Sequence, residues 1–319
     1  MNACRHNQRV LLVFLSLLLF LLSLVAVAVQ FRRDAGILKK LPVVLVIAMS
    51  TLVVSSRAAA QIPVVDQSSP AASPADEPQT DRPPAPSPPP VFDRPVSWKL
   101  LYTNLIADQK QIWSFPARLM QGQNWTPTAA VLGTTAGLVL LDPSEAGYFR
   151  RTPTFHGFNN IFTGNATAIG IGAVPGSLYA IGLIRRDSKM QHTALLAGEA
   201  MADAAILTTV LKDATKRVKP AGFSVSGNLS DSWFEKSGPP YSYIKGNGSF
   251  PSGHTIEAFS VATIIARRYR NHRWVPYAAY GLASLVGFSR LSLSVHFLSD
   301  VFMGGALGYS ISRFVVLRQ

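Results

Sequence analysis

Two histidines in the last quarter of the chain, between Ser249 and Asp300, stand in settings that support chemistry. His254 closes Pro251-Ser252-Gly253-His254, where Thr255-Ile256-Glu257-Ala258-Phe259 begins a helical pattern. A helix N-terminus presents unpaired N–H groups and positive dipole density, which suits an oxyanion. Gly253 lets the backbone approach such a ligand closely, and the Ser252 hydroxyl adds a donor. The plainer alternative is an ordinary helix cap with His254 as a polar first-turn residue. His296 precedes Asp300 by four residues. On a helix that spacing puts both on one face, with the carboxylate leaning over the turn that carries the imidazole. A carboxylate on one ring nitrogen fixes the tautomer and leaves the other nitrogen free as nucleophile or base. Its alternative is a surface His–Asp pair worth a few tenths of a kcal/mol.

A basic stretch supplies the third part. Lys212 and Lys219 are seven residues apart in Lys212-Asp213-Ala214-Thr215-Lys216-Arg217-Val218-Lys219-Pro220. That is about two helical turns, so the two lysines are expected on one face, with Lys216 nearby, in a helix ended by Pro220. Taken alone, the stretch reads more readily as a solvated helix end whose charge complements the dipole. Arg290 adds a fixed fork of donors suited to phosphate oxygens. Two histidines, an orienting carboxylate and three cationic side chains describe an oxyanion site. A divalent metal among His254, His296 and Asp300 is disfavoured, because Lys212, Lys219 and Arg290 would repel it. Phosphoryl transfer needs an in-line nucleophile, a leaving-group acid and charge on the equatorial oxygens, and these residues supply all three.

The motifs Pro251–His254, Ser289-Arg290-x5-His296-x3-Asp300 and Lys212-x6-Lys219-Pro220 resemble the three signatures of the type 2 phosphatidic acid phosphatase superfamily. That superfamily also includes bacterial non-specific acid phosphatases and vanadium haloperoxidases. The first signature of the family has arginine where this chain has Lys219, a point charge in place of a bidentate donor. The resemblance implies that His296 attacks phosphorus to give a phosphohistidine held in register by Asp300. It implies that His254 protonates the leaving oxygen and later helps activate water. Lys212, Lys219, Ser252, Gly253 and Arg290 would hold the phosphate oxygens, with Arg217 a partial substitute for the missing arginine. No resident cofactor is implied for a phosphatase, and vanadate would inhibit it. In the rival reading, a haloperoxidase, vanadate is the cofactor of the same pocket. A catalytically degenerate, membrane-tethered binding protein is the alternative from another class.

The elements that must position these residues read as helices. Trp98 to Met120 spaces Leu101, Leu105, Ile112 and Phe115 among polar residues, as in an amphipathic helix that packs on the domain, the favoured reading, or lies on a membrane. Apolar segments follow at 127–141, 165–184, 193–212, 254–268, 275–290 and 296–316, with no competing strand alternation. The expected class is all-α, a bundle of about six core helices, and the resemblance implies the acid phosphatase/vanadium haloperoxidase type. Glu199 and Asp203 in one segment, Glu257 in another, and the shortness of 127–141 and 275–290 favour a globular bundle outside the membrane. Gly304, Gly305 and Gly308 allow close helix approach in either solvent.

Upstream lies delivery. Val10 to Val29 is an uncharged run of 20 residues, the length of a membrane span. A second apolar run, Leu41 to Ser56, follows Lys39-Lys40 and ends in Arg57-Ala58-Ala59-Ala60-Gln61, the pattern of a signal peptide. Two such segments in tandem would leave Arg32, Arg33, Lys39 and Lys40 on the wrong side for the positive-inside bias. Translation from near Leu38 in a bacterial gene, with a signal peptide over about 38–60, removes the conflict. A mature chain beginning at Gln61 by mass spectrometry supports that start, and one retaining residues 1–37 excludes it. Residues 61–95 are a Pro/Ala/Ser-rich linker that cannot bury a core, so the catalytic domain is expected over 96–319. Export to the periplasm, or attachment to the membrane on that side, follows.

The chain carries 30 Lys+Arg against 17 Asp+Glu, a net charge of +13. The excess is not confined to the leader, since Val91 to Gln319 holds 22 against 12. An anionic partner is implied, either a phosphorylated small molecule or lipid, or a membrane surface. No nucleic-acid module signature appears, and oligomeric state is not legible. Cys4 is the single cysteine, which excludes intrachain disulfides. His156, His192 and His272 are expected to face solvent or serve structure. Trp233, Tyr241 and Tyr243 are candidates for the substrate mouth or for a packed loop.

Overall fold

Among the described residues, 94–224, 227–234 and 246–318, each apolar segment from 127 onward forms a helix or most of one in the computed structural model. The described residues form α1 (Leu101–Trp113), α2 (Phe115–Met120), α3 (Trp125–Phe149), α4 (His156–Ile161) and α5 (Gly164–Ile184). They continue with α6 (Ser188–Thr215), a 3-10 turn at Pro220–Gly222, α7 (Gly253–Arg268), α8 (Trp274–Ser292) and α9 (Leu298–Ser310). A π-helical turn, Ile311–Val316, follows α9. No strand occurs among the described residues, so the fold is all-α. The leader expected over 1–60, the linker up to residue 93, and Tyr241 and Tyr243 lie outside the described residues.

Local chemistry sets the ends of the elements that matter. The Asp187 carboxylate caps α6 by accepting the Met190 N–H at 3.0 Å. The helix stops at Thr215 because Lys216 turns left-handed, with φ of 43°. The sequence pattern predicts a helix running on to Pro220. Lys219 instead lies in extended backbone, so helical periodicity is not what relates it to Lys212. Helix α7 starts at Gly253 with Ser252 as N-cap, and ends on Arg267 and Arg268, whose charges suit the C-terminal dipole.

Helix α7 is the centre of the bundle, with α6, α8 and α9 packed around it. Alanines 197, 200 and 204 of α6 are fully buried and let it approach Ile256 and Ile264 closely. On α9 the small residues do the same work. A Cβ on Gly304 would stand 2.8 Å from the Ser252 carbonyl oxygen, and Gly308 faces the Ile256 carbonyl more tightly still. That contact fixes α9 against the first turn of α7, where His254 sits.

The amphipathic stretch at Trp98–Met120 breaks into α1 and α2 at Ser114-Phe115-Pro116 and packs on the domain as expected. Its anchor is polar as well as apolar. Asn104 donates to Glu199 at 2.7 Å and Gln109 to Asp203 at 2.8 Å. Arg94 donates to both oxygens of the buried Asp108 at 2.8 and 2.7 Å. The carboxylates of α6 thus point into the protein, so they do not count against lipid on its other side. Helix α5, in turn, buries only Thr167, Ile171, Pro175 and Gly182. Ile184, at 83% exposure, stands with Ile169, Val174, Ile181 and Leu183 on an open apolar surface. The expectation of a bundle wholly outside the membrane fits this surface poorly, because water penalises so large an apolar face.

Candidate active site

His296 is not on a helix. It lies in the short link between α8 and α9, fully enclosed but for 5% of its surface. Asp300 is three residues inside the start of α9, and its Oδ2 turns back to accept the Phe297 N–H at 2.9 Å. This reach toward the helix start brings Oδ2 within 3.5 Å of His296 Nδ1. The expected pair therefore forms through capping of a helix N-terminus rather than through stacking on a helix face. Ser249 completes it, donating to Oδ2 at 2.5 Å and lying 3.4 Å from the same imidazole nitrogen. With Nδ1 so engaged, Nε2 is left for substrate. Burial lowers the pKa of His296, partly opposed by Asp300, so the imidazole is neutral near pH 7.

His254 sits in the first turn of α7. Its Nε2 is 3.0 Å from the Gly164 carbonyl oxygen at the start of α5, and a carbonyl only accepts, so that nitrogen carries the proton. Nδ1 remains to exchange a proton with substrate. Burial, with the Arg290 guanidinium next, holds this imidazole down at about 4. An arriving phosphate brings negative charge and reverses that bias.

Among the cations, Lys212 lies closest to the helix start. Its Nζ is 3.6 Å from where a Cβ on Gly253 would be, so glycine keeps room for the ammonium. Lys219, Asp300 and Glu257 are its charged neighbours, and Lys212 and Lys219 both act on His296. Arg290 is 1% exposed, and its Nη2 donates to the Phe162 carbonyl at 2.5 Å and to the Thr167 hydroxyl at 2.9 Å. The start of α5 is thus tied to both Arg290 and His254. Ser252 contributes less than expected. It is fully buried, its hydroxyl pairs with Thr255 Oγ1 at 2.8 Å, and its N–H donates to the Asp300 carbonyl at 3.0 Å. Packing has turned this side chain into the scaffold.

Arg217 does not substitute for the family arginine. It is 2% exposed, and its guanidinium is paired with Asp142 and Asp300. Trp233 covers its guanidinium at 4.2 Å and packs on Phe250, so of the mouth candidates it is a packed residue. His156, His192 and His272 are exposed. An apolar groove of about 400 Å³ between Ile265, Tyr269, Trp274 and Leu282 lies at the far end of α7 and α8 from His254 and Arg290. Sequence reasoning missed Ser249 and Asp142. Asp142 carried a signal, since a carboxylate closing the apolar segment 127–141 implies a buried partner.

Residues 193–319, which include Lys212, Arg217, Lys219, Ser249, Ser252, His254, Arg290, His296 and Asp300, match the family model of the PAP2 superfamily. A stretch of 75 residues is 35% identical to the lipid A 4'-phosphatase of Porphyromonas gingivalis, covering 24% of this chain and 31% of that one. The lipid A 1-phosphatase of the same organism is 43% identical over 66 residues, 20% of this chain and 15% of its own. Phosphatidylglycerophosphatase B of Bacillus subtilis is 36% identical over 86 residues, 24% of this chain and 42% of its own. The chain thus spans less than half the length of each of these curated relatives. The crystal structure of the transmembrane PAP2-type phosphatidylglycerolphosphate phosphatase of Bacillus subtilis is similar over 67% of this chain and 92% of its own. Its sequence identity is 21% and its TM-score 0.35. The motif residues Lys212, Pro251–His254 and Ser289–Asp300 all lie within the stretch 193–319 that is similar to the PAP2 superfamily.

Proposed function

We propose that the chain is a membrane-associated phosphatase that hydrolyses a lipid phosphate through a phosphohistidine on His296. The observation that carries this reading is a neutral, carboxylate-backed imidazole set among Lys212, Lys219 and Arg290 at one end of α6, α7 and α8. His296 Nε2 attacks phosphorus, and Asp300 stabilises the positive charge that forms on the ring. His254 gives its Nδ1 proton to the leaving oxygen, and in the second step takes a proton from the water that displaces His296. The lysines, Arg290 and the Gly253 N–H hold the three equatorial oxygens.

Lipid substrates are supported by the three relatives, which act on lipid A or phosphatidylglycerophosphate by name. They are also supported by α5 and α6, the two described segments long and apolar enough to cross a bilayer. The open face of α5 would meet acyl chains, and phosphate would enter from the exported side.

The test is turnover of the purified full-length protein in detergent with EDTA present. Phosphatidic acid, phosphatidylglycerophosphate, lipid A and para-nitrophenyl phosphate are offered side by side, with His296→Ala as control. Lipid phosphate release that the substitution abolishes and vanadate inhibits supports the reading. Release that needs magnesium, or that survives His296→Ala, overturns it, as does bromide oxidation with vanadate and peroxide.

A further inference from the structure

We infer that Arg217 is a positioning residue for this reaction, fixing both oxygens of Asp300 and through them the nucleophile His296. The inference rests on the phosphatase reading above and adds a residue to it.

Arg217 grips Asp300 in two ways. Its Nη1 donates to Asp300 Oδ1 at 2.5 Å. Its backbone carbonyl accepts the Ser249 N–H at 2.7 Å, and the Ser249 hydroxyl donates to Oδ2. The oxygen facing His296 is therefore held from the Ser249 side, and the other oxygen by the guanidinium itself.

The guanidinium is in turn immobile. Nη2 donates to Asp142 of α3 at 2.6 Å, Nε to Ser232 at 3.2 Å, and Nη1 also to Ser299 at 2.7 Å. Ser299 ties the two anchors together, donating its hydroxyl to Asp142 at 2.5 Å and its N–H at 3.1 Å. Trp233 and Phe297 lie against the guanidinium at 4.2 and 4.1 Å. A planar cation between two rings, with carboxylates at its edge, has one available orientation. Such a group holds a partner in register, with four of its five N–H donors taken by Ser232, Ser299, Asp300 and Asp142.

Its charge has a consequence for the imidazole. An arginine on Asp300 draws charge from the carboxylate, weakens its pull on the ring proton, and so helps keep His296 neutral. The other titratable or charged groups around the pair are Asp142 and Glu145 from α3, Lys212 from α6, Lys219 from the following turn, His254 from α7 and Arg290 from α8.

Arg217→Gln, Arg217→Lys and Asp142→Asn are compared with wild type as full-length protein. Arg217→Gln should lower kcat about a hundredfold with KM little changed, the size expected for a misplaced nucleophile. It should also move the acid limb of kcat/KM up by about one pH unit, since the cation that opposed His296 protonation is gone. Arg217→Lys should recover part of both effects. Asp142→Asn removes a negative neighbour and leaves Arg217 to Asp300 alone, so its acid limb should move down. A titration of labelled histidine by NMR, with the His296 signal assigned from His296→Gln, reads the same opposite shifts without turnover. A raised KM or weakened tungstate binding with kcat intact would make Arg217 a phosphate ligand and overturn the inference. Unmoved limbs and an unmoved His296 titration in folded variants would make Arg217 structural only, which overturns it equally. Should the Arg217 variants fail to fold, the direction of the Asp142→Asn shift decides. Loss of the phosphatase reading itself shows in the wild-type assay, independently of the titration.

Discussion

Asp300 reaches back from the first turn of α9 to His296, which lies outside the helix, and the same oxygen caps the Phe297 N–H at 2.9 Å. One carboxylate thus starts the helix and orients the imidazole, so the helix start and His296 cannot move independently. Asp300→Asn keeps an acceptor for Phe297 but loses the charge that meets both Arg217 and the ring. Turnover should fall about a thousandfold or more, as when a carboxylate backing an imidazole becomes an amide elsewhere. His296→Ala should fall further, to the level without enzyme nucleophile. Steady-state rates of the two variants side by side check the order.

Oxyanion binding should carry a proton with it. His254 is held at about 4 in the free molecule by burial and by Arg290, so it enters the complex by gaining a proton. The complex has the raised pKa, so binding strengthens as pH falls through that value and weakens above it. Tungstate, whose own charge does not change over pH 6–8, isolates the effect. Its affinity should rise toward pH 6 in wild type and stay flat in His254→Ala. Calorimetry in two buffers of different ionisation enthalpy counts the proton.

Lys219→Arg should restore a forked donor. Lys219 is exposed at the start of the 3-10 turn, so the longer side chain meets no packing cost. One added charge-assisted hydrogen bond is worth about 1.5 kcal/mol, or roughly tenfold in affinity. Inhibition constants for inorganic phosphate are the readout. Arg217 stays bound to Asp142 and Asp300 in this variant, so any gain comes from position 219.

Gly304→Ala tests the close approach of α9 to α7. The new methyl would stand 2.8 Å from the Ser252 carbonyl and 3.1 Å from Thr255 Cβ. Neither backbone nor β-branched side chain yields cheaply, so stability should fall by about 1–3 kcal/mol. Because the pushed turn carries His254, kcat should fall as well. Thermal melting and turnover on the same preparation report both. Gly305→Ala, whose nearest neighbour is the Phe259 ring at 3.6 Å, is the tolerated control.

Arg94→Met should loosen α1. Arg94 makes both hydrogen bonds to Asp108 and lies 3.7 Å from Glu199, all at the α1–α6 contact. Removing the cation strands buried carboxylates, a loss of about 3–5 kcal/mol when they cannot find water. Proteolysis at α1 should accelerate first, ahead of loss of the α6–α9 bundle.

Helix content and the chemical residues were legible because both are written locally. Apolar runs at 165–184 and 254–268 and the Pro251–His254 break mark elements without knowledge of neighbours. The Ser289–Asp300 spacing likewise reports a histidine and a carboxylate in mutual reach. What spacing could not say is how they reach each other. The i, i+4 separation suggested a shared helix face, whereas Asp300 meets His296 by turning toward a helix start. Lys212 and Lys219 come together around a left-handed stop at Lys216 rather than along two turns of α6. The roles of Arg217, Asp142 and Ser249 needed tertiary structure, because Asp142 is 75 residues from Arg217 and Ser249 is 51 from Asp300. Only folding decides whether a basic residue faces the anion or a buried carboxylate. The same holds for Glu199 and Asp203, which by composition count against α6 in a bilayer and instead face α1. Sequence determines which groups are present and their local periodicity. Their direction is set by packing, since burying a charge is tolerable only where a partner waits.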